Sequence, residues 1–151
     1  MPEQLGLVEF YTDGACPGNG QSREGGRMGA GIVAKSGEIQ REWAIPLGRG
    51  TNQQAELLAV KEALLKIKDR SRASVRVYSD SAYAIGCLTQ NWKIKANPEI
   101  VAETRALIRE CGRFEMKKVT GHAGVAQNER ADELAVKAAV THEYYAGGPD
   151  R

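Results

Sequence analysis

Strand-type patterning fills the first third of the chain, and helical spacing takes over after residue 51. Residues 7–12 read Leu-Val-Glu-Phe-Tyr-Thr, an apolar and aromatic run that stops at Asp13-Gly14. A glycine-rich stretch from Gly14 to Gly29 predicts a loop. Gly31-Ile32-Val33-Ala34 predicts a second strand, Ser36-Gly37 a hairpin turn, and residues 39–47 a third strand, after which Gly48-Arg49-Gly50 breaks the chain. From Asn52 to Lys68 the apolar period becomes helical, with Leu57, Val60, Leu64 and Ile67 on one stripe. Residues 75–78 alternate as a strand and end at Ser79-Asp80, and a short helix through Ala84, Ile85 and Leu88 follows. Asn97-Pro98-Glu99 has the chemistry of a helix start, with Asn as cap, Pro in the first turn and an acid beside it. That helix carries Ile100, Ala106, Leu107 and Ile108 and stops at Gly112. Residues 114–119 predict a further strand, Gly121-His122-Ala123-Gly124 a loop, and Asn128 or Glu129 the start of a last helix with Leu134, Ala135 and Ala138 inward.

Three meandering strands followed by alternating helix and strand predict a mixed sheet flanked by helices, in one α/β domain. The length of 151 residues fits one domain, expected over residues 1–142, with residues 143–151 as a disordered tail. Hydrophobic residues at 42% and charged residues at 26% exclude disordered and low-complexity classes. No apolar run approaches the roughly 18 residues of a membrane span, and the start has no basic-then-apolar leader. Three scattered cysteines, Cys16, Cys87 and Cys111, predict reduced thiols and a cytoplasmic location. The net charge of +2 neither demands nor excludes a nucleic-acid partner, and it becomes +6 once four particular acids are set aside.

Those acids are the informative feature. Asp13 and Asp80 each end a strand, and Glu56 and Asp132 lie early in helices. Ligands gather beyond the carboxyl ends of parallel strands in open sheets. If the strands of Asp13 and Asp80 are parallel neighbours, their carboxylates point into one space. Converging acids repel one another and call for a cation. A hard dication accepts carboxylate oxygens and phosphate oxygens alike, and a pair of such ions can clamp both oxygens of a phosphodiester displacement. The competing explanation is local. Acids in a first helical turn suit the helix dipole, Asp before Gly suits a turn, and Asp80 would cap a helix.

The surrounding residues decide between the two. Thr12-Asp13-Gly14-Ala15-Cys16-Pro17-Gly18-Asn19, Thr51-Asn52-Gln53-Gln54-Ala55-Glu56, Tyr78-Ser79-Asp80-Ser81, Gly121-His122-Ala123-Gly124 and Asn128-Glu129-Arg130-Ala131-Asp132-Glu133-Leu134-Ala135 occur in this order. Together they resemble the type 1 ribonuclease H family. The resemblance implies the ribonuclease H-like fold, a five-stranded mixed sheet with helices on both faces. It implies an endonuclease that cuts the RNA strand of an RNA/DNA hybrid and leaves 5′-phosphate and 3′-hydroxyl ends. The family's metal-binding acids fall on Asp13, Glu56, Asp80 and Asp132, holding two Mg²⁺ ions, with Mn²⁺ as an alternative. His122 matches the family's mobile histidine, which assists water entry or product release.

The resemblance also implies substrate contacts. Backbone groups from Gly14 to Cys16 and the side chains of Asn19 and Gln53 are expected at the shallow groove, with Asn52 and Gln53 near both strands. Arg49, Thr51 and Asn97 resemble a pocket that grips a phosphate of the DNA strand, although helix capping explains Thr51, Asn52 and Asn97 equally well. Trp92, with Lys93 and Lys95, is either a DNA contact or a lid aromatic. The chain departs from the pattern in three places. Its loop from Gly20 to Met28 is long, and Arg23 and Arg27 there are candidates for phosphate contacts or for plain solvation. There is no room between Trp92 and Pro98 for a long basic protrusion, and Ala82 replaces a polar residue. A lone hybrid-cutting monomer with no obligate protein partner and no membrane is the expectation.

Overall fold

The structure is a computed structural model and describes residues 5–18, 25–90, 92–119 and 125–148. Strands β1 (Gly6–Ala15), β2 (Gly26–Ser36) and β3 (Ile39–Gly50) form the antiparallel meander that the period-two runs predict. Helix α1 (Asn52–Leu65) leads through a short 3-10 turn to β4 (Ala73–Ser79). Then come α2 (Ala82–Thr89), α3 (Pro98–Glu110), β5 (Arg113–Lys118) and α4 (Val125–Thr141). A last strand, β6 (Tyr145–Gly147), completes the sheet in the order β5-β4-β1-β2-β3-β6. β4 lies parallel to both β1 and β5, so the sheet is mixed, as expected.

Alternation along the strands sorts side chains to two faces. Phe10, Ile32, Val75 and Val77 join Leu57, Val60 and Leu64 of α1 in the larger core. Tyr11, Val33 and Ala44 meet Ala131, Leu134 and Ala138 of α4 on the other face. α4 lies unusually close to the sheet because β2 offers Gly29 and Gly31 beneath it. A Cβ on Gly31 would collide with the backbone of Ala131 and Ala135.

Three expectations are corrected. The glycine-rich stretch is not loop up to Gly29, because Gly26 to Gly29 already pair with β3. Likewise Gly48-Arg49-Gly50 stays in β3, and the irregularity is absorbed by a register shift at Met28/Gly29 and a positive φ of 85° at Gly48. The sheet has six strands and not five. Residues 145–147 of the expected disordered tail form β6, paired with Glu42, Trp43 and Ala44 of β3. Three residues carry too little period to be read as a strand, and only the open edge of β3 gives them a partner. On α3 the deepest side chains are Val101 and Thr104, with Ile100, Leu107 and Ile108 half-buried.

Candidate active site

Parallel pairing sets the first two acids level. Tyr11 of β1 is in register with Tyr78 of β4, and the two rings stack at 4.6 Å. Two residues further on in each chain stand Asp13 and Asp80, on the α4 side of the sheet. β4 ends at Ser79, and Ser81 caps α2 by accepting from the Ala84 amide at 3.0 Å. Ser81 therefore does the capping, and Asp80 is left for other work.

Glu56 arrives from the opposite face. Thr51 and Gln54 close a reciprocal capping box at the start of α1, which fixes the helix direction. The helix start passes so close to Gly14 that a side chain there would strike the backbone of Ala55 and Glu56. This closeness lets the Gly14 amide donate to Glu56 Oε1 at 2.8 Å. Neither α1 nor α4 carries an acid in its first turn, so helix-dipole stabilisation explains neither Glu56 nor Asp132.

One carboxylate oxygen each of Asp13, Glu56 and Asp80 lies within 4.8 Å of the others. Asp132, on α4, stands near enough to Asp13 to act on its carboxyl but is not one of these three. Burial, then the charge of Glu56, then Asp132 and Asp80 push the Asp13 carboxyl up to about 9. Burial likewise pushes Glu56 up to about 7, against the opposing Gly14 amide and with Asp80 and Asp132 adding to the rise. Oxygen-only donors suit a hard dication. Opposite ligands on such an ion stand about 4.2 Å apart, twice a metal–oxygen bond of about 2.1 Å, a scale that oxygens within 4.8 Å of one another suit. The residues fit a divalent cation.

The substrate candidates divide. Gly14 and Cys16 line the end of β1, and the buried Cys16 thiol donates to the Gly50 carbonyl at 3.3 Å. All three cysteines are free thiols. Asn52 and Gln53 are exposed at the start of α1. Asn97 does not cap α3 with its side chain. It sits at φ 56°, ψ 41°, accepts from Gln54 Nε2 at 3.1 Å and donates to the Tyr83 hydroxyl at 3.0 Å. Gln54 thus bridges Thr51 and Asn97. Arg49 lines a different hollow, and its Nη1 donates to the Gly25 carbonyl at 3.1 Å. Trp92 is half-exposed, and its ring occupies the space above Gly86. His122 and Asn19 lie outside the described residues.

Two groups escaped sequence reasoning. Arg130 grips Glu42 of β3 through Nε at 3.0 Å and through Nη2, and Tyr145 of β6 donates to the same carboxylate at 3.0 Å. Asn128, one turn before Asp132, has a buried Oδ1 with no partner among the described residues. The i, i+4 spacing of Asn128 and Asp132 was visible in the chain, but the burial of that oxygen was not.

A family model described as RNase H matches residues 6–140. A ribonuclease H of Syntrophomonas wolfei is 40% identical over 85% of this chain and 92% of its own length. One from Saccharopolyspora erythraea is 36% identical over 86% of this chain and 88% of its own length. Among solved structures, a type 1 RNase H with the type 2 active-site motif superposes with a TM-score of 0.79 at 29% identity, covering 95% of this chain and 77% of that one. The RNase H1 of Halobacterium salinarum superposes at 0.72 with 28% identity, covering 91% of this chain and all of its own.

Proposed function

The chain belongs to the ribonuclease H family, and we propose that it is an endonuclease hydrolysing the RNA strand of RNA/DNA hybrids at the Asp13, Glu56, Asp80 and Asp132 cluster. The observation that carries this reading is the meeting of carboxylates from β1, α1 and the end of β4 in one place, with Asp132 of α4 close enough to act on two of them, whose pKa values are raised. Such a site binds divalent metal, and the preferred set is two Mg²⁺ ions, with Mn²⁺ able to replace them. When bound, the two ions activate the attacking water and stabilise the departing 3′ oxygen.

The chain's own residues hold and orient. Asp13 is the most buried acid of the cluster and supplies its rigid floor. The Gly14 amide fixes one Glu56 oxygen and thereby aims the carboxylate. Asp80 and Asp132 are exposed and open the cluster to a duplex. Gly14, Cys16 and Asn19 belong at the shallow groove, where the 2′-hydroxyl distinguishes RNA from DNA. Asn52 and Gln53 reach the groove from the start of α1. Thr51 and Asn97, joined by Gln54, offer a hydroxyl and an amide to a phosphate. The role proposed for His122 is to assist water entry or product release, not to ligate metal. The chain acts as a monomer in the cytoplasm. No helix among the described residues is long and apolar enough to cross a membrane.

The test is a hybrid labelled on each strand, incubated with and without Mg²⁺. Cutting confined to the RNA strand, dependent on the metal, is the expected result. Equal cutting of double-stranded DNA would overturn the substrate, and binding without cutting would make the chain a non-catalytic module.

A further inference from the structure

On the α4 side of the sheet, β1 and β4 carry three successive rows of side chains. In the first row Glu9 lies beside Arg76, whose Nη1 donates to Glu9 Oε2 at 3.2 Å and whose Nε donates to Glu115 Oε2 of β5 at 3.0 Å. In the second row Tyr11 lies beside Tyr78, with ring centroids 4.6 Å apart and planes 10° from parallel. The Tyr78 hydroxyl donates to the same Glu9 oxygen at 2.9 Å, which ties the second row to the first. Tyr11 is buried in one cluster with Ala131 and Leu134 of α4, and Tyr78 packs against that cluster. The third row is Asp13 and Asp80.

The parallel ladder between β1 and β4 runs from Gly6 and Ala73 to Tyr11 and Tyr78, and that row is its last. Beyond it the two strands have different partners. β1 goes on pairing with β2 as far as Ala15. β4 ends at Ser79, whose carbonyl accepts from the Val119 amide at 2.9 Å, and the chain turns into α2. Asp13 and Asp80 therefore stand past the end of the ladder, and the stacked rings are the last cross-strand pair before them. Neighbouring strands lie about 4.8 Å apart, and side chains two apart on a strand share a face at about 6.6 Å. The 4.6 Å stack thus keeps the strands at ladder spacing where the ladder stops, directly behind the two carboxylates.

We propose that the Tyr11–Tyr78 stack is a positioning element, which sets the separation of Asp13 and Asp80 so that a divalent cation meets carboxylates already gathered. Tyr11 and Tyr78 are positioning residues and act through the two acids. Glu9 and Arg76 fix the Tyr78 ring from behind. This role rests on the cation site of the proposed function. Groups that hold metal ligands in place are worth about 10–100-fold in metal affinity. Rings that served packing alone would cost stability when removed and leave metal affinity unchanged.

The experiment compares wild type with Tyr78→Leu, Tyr78→Thr, Tyr78→Phe and Val77→Ala. Val77 is fully buried in the core on the α1 face, so its variant loses packing on the same strand and keeps the stack. Mg²⁺ affinity is read by calorimetry without hybrid, beside urea denaturation. Tyr78→Leu and Tyr78→Thr are expected to bind Mg²⁺ about tenfold more weakly. Tyr78→Phe keeps the ring and should stay within about twofold of wild type. Val77→Ala should lose stability and also stay within about twofold in affinity. In cleavage assays, excess Mg²⁺ should restore kcat in Tyr78→Leu, with KM for hybrid unchanged, because the acids and the substrate contacts are intact. Should Tyr78→Leu not fold, Tyr78→Thr, with a β-branched side chain suited to a strand, takes its place. Wild-type Mg²⁺ affinity in a folded variant without the ring overturns the proposal. So does a loss in Tyr78→Phe as deep as in Tyr78→Leu, or an equal loss in Val77→Ala. Wild type that binds and cuts beside unaffected variants sinks the positioning role alone, whereas wild type that binds no divalent ion and cuts no hybrid sinks the proposed function and this role together.

Discussion

Asp13 and Glu42 are acids of the same sheet, 7% and 8% exposed, and their surroundings drive them in opposite directions. Asp13 ends β1 among Glu56, Asp80 and Asp132, and its carboxyl rises to about 9. Glu42 lies in β3 under the Arg130 fork and the Tyr145 hydroxyl, and Arg130 first among these holds it below the usual carboxylate range. Burial raises both, and the neighbours decide the outcome. The Glu42 site is satisfied within the fold and joins β3, α4 and β6 into one unit. The Asp13 site gathers acids alone, and their repulsion is what suits it to a cation.

The sharpest way to break this contrast is Asp13→Asn. It is expected to lower hybrid cleavage by about a thousandfold or more, since metal stabilisation of the transition state is worth several kcal/mol. The same change relieves repulsion, so the metal-free protein should melt higher than wild type. A single-turnover assay beside a thermal melt reads both. A variant that still cuts at the wild-type rate would show that the cluster is not the reaction centre.

A pH series sharpens the contrast next. Asp13 and Glu56 have folded pKa values above their unfolded ones, at about 9 and about 7. The metal-free folded state therefore holds more protons, and its stability falls as pH rises from the ordinary carboxylate range toward about 9. Glu42 has the opposite sign. Its contribution is present above the ordinary range and is lost as pH falls through its lowered folded value. Denaturation midpoints across pH should show both limbs, and Mg²⁺ should flatten the alkaline one only. Metal at a hundred times its Kd adds about 2.7 kcal/mol, and Asp13→Asn should lose most of that gain.

Smaller effects belong to the satisfied site. Arg130→Ala leaves the Glu42 carboxylate buried without its ion partner and should cost about 1–3 kcal/mol in urea denaturation. Tyr145→Phe removes one hydrogen bond to Glu42 and should cost about 1 kcal/mol. It should also raise hydrogen exchange at Trp43 and Ala44, where β6 pairs. An unchanged exchange pattern would mean that the terminal strand does not depend on this clasp.

Much of the fold was legible in residue order. The period-two runs located β1 and β4, and the Leu57, Val60 and Leu64 stripe located α1 and its buried face. Local chemistry around the four acids was distinctive enough to mark the family. Boundaries were less legible near residues 26–29 and 48–50, because glycine suits both a loop and a bulged strand that a helix must approach closely. β6 and the Arg130–Glu42–Tyr145 clasp left no signal, since each depends on partners from 88 to 105 positions away.

The sequence alone determined which residues have the chemistry to hold a cation and which element each one rides on, because residue type and hydrophobic period are local properties. Only the tertiary structure decided that Asp13 and Asp80 stand level, that α1 passes Gly14 closely enough to aim Glu56, and that Arg49 faces Arg27 and His142 apart from Asn97. Those outcomes follow from strand register and helix–sheet approach. Both are set by contacts between segments distant in the chain, where no local pattern records them.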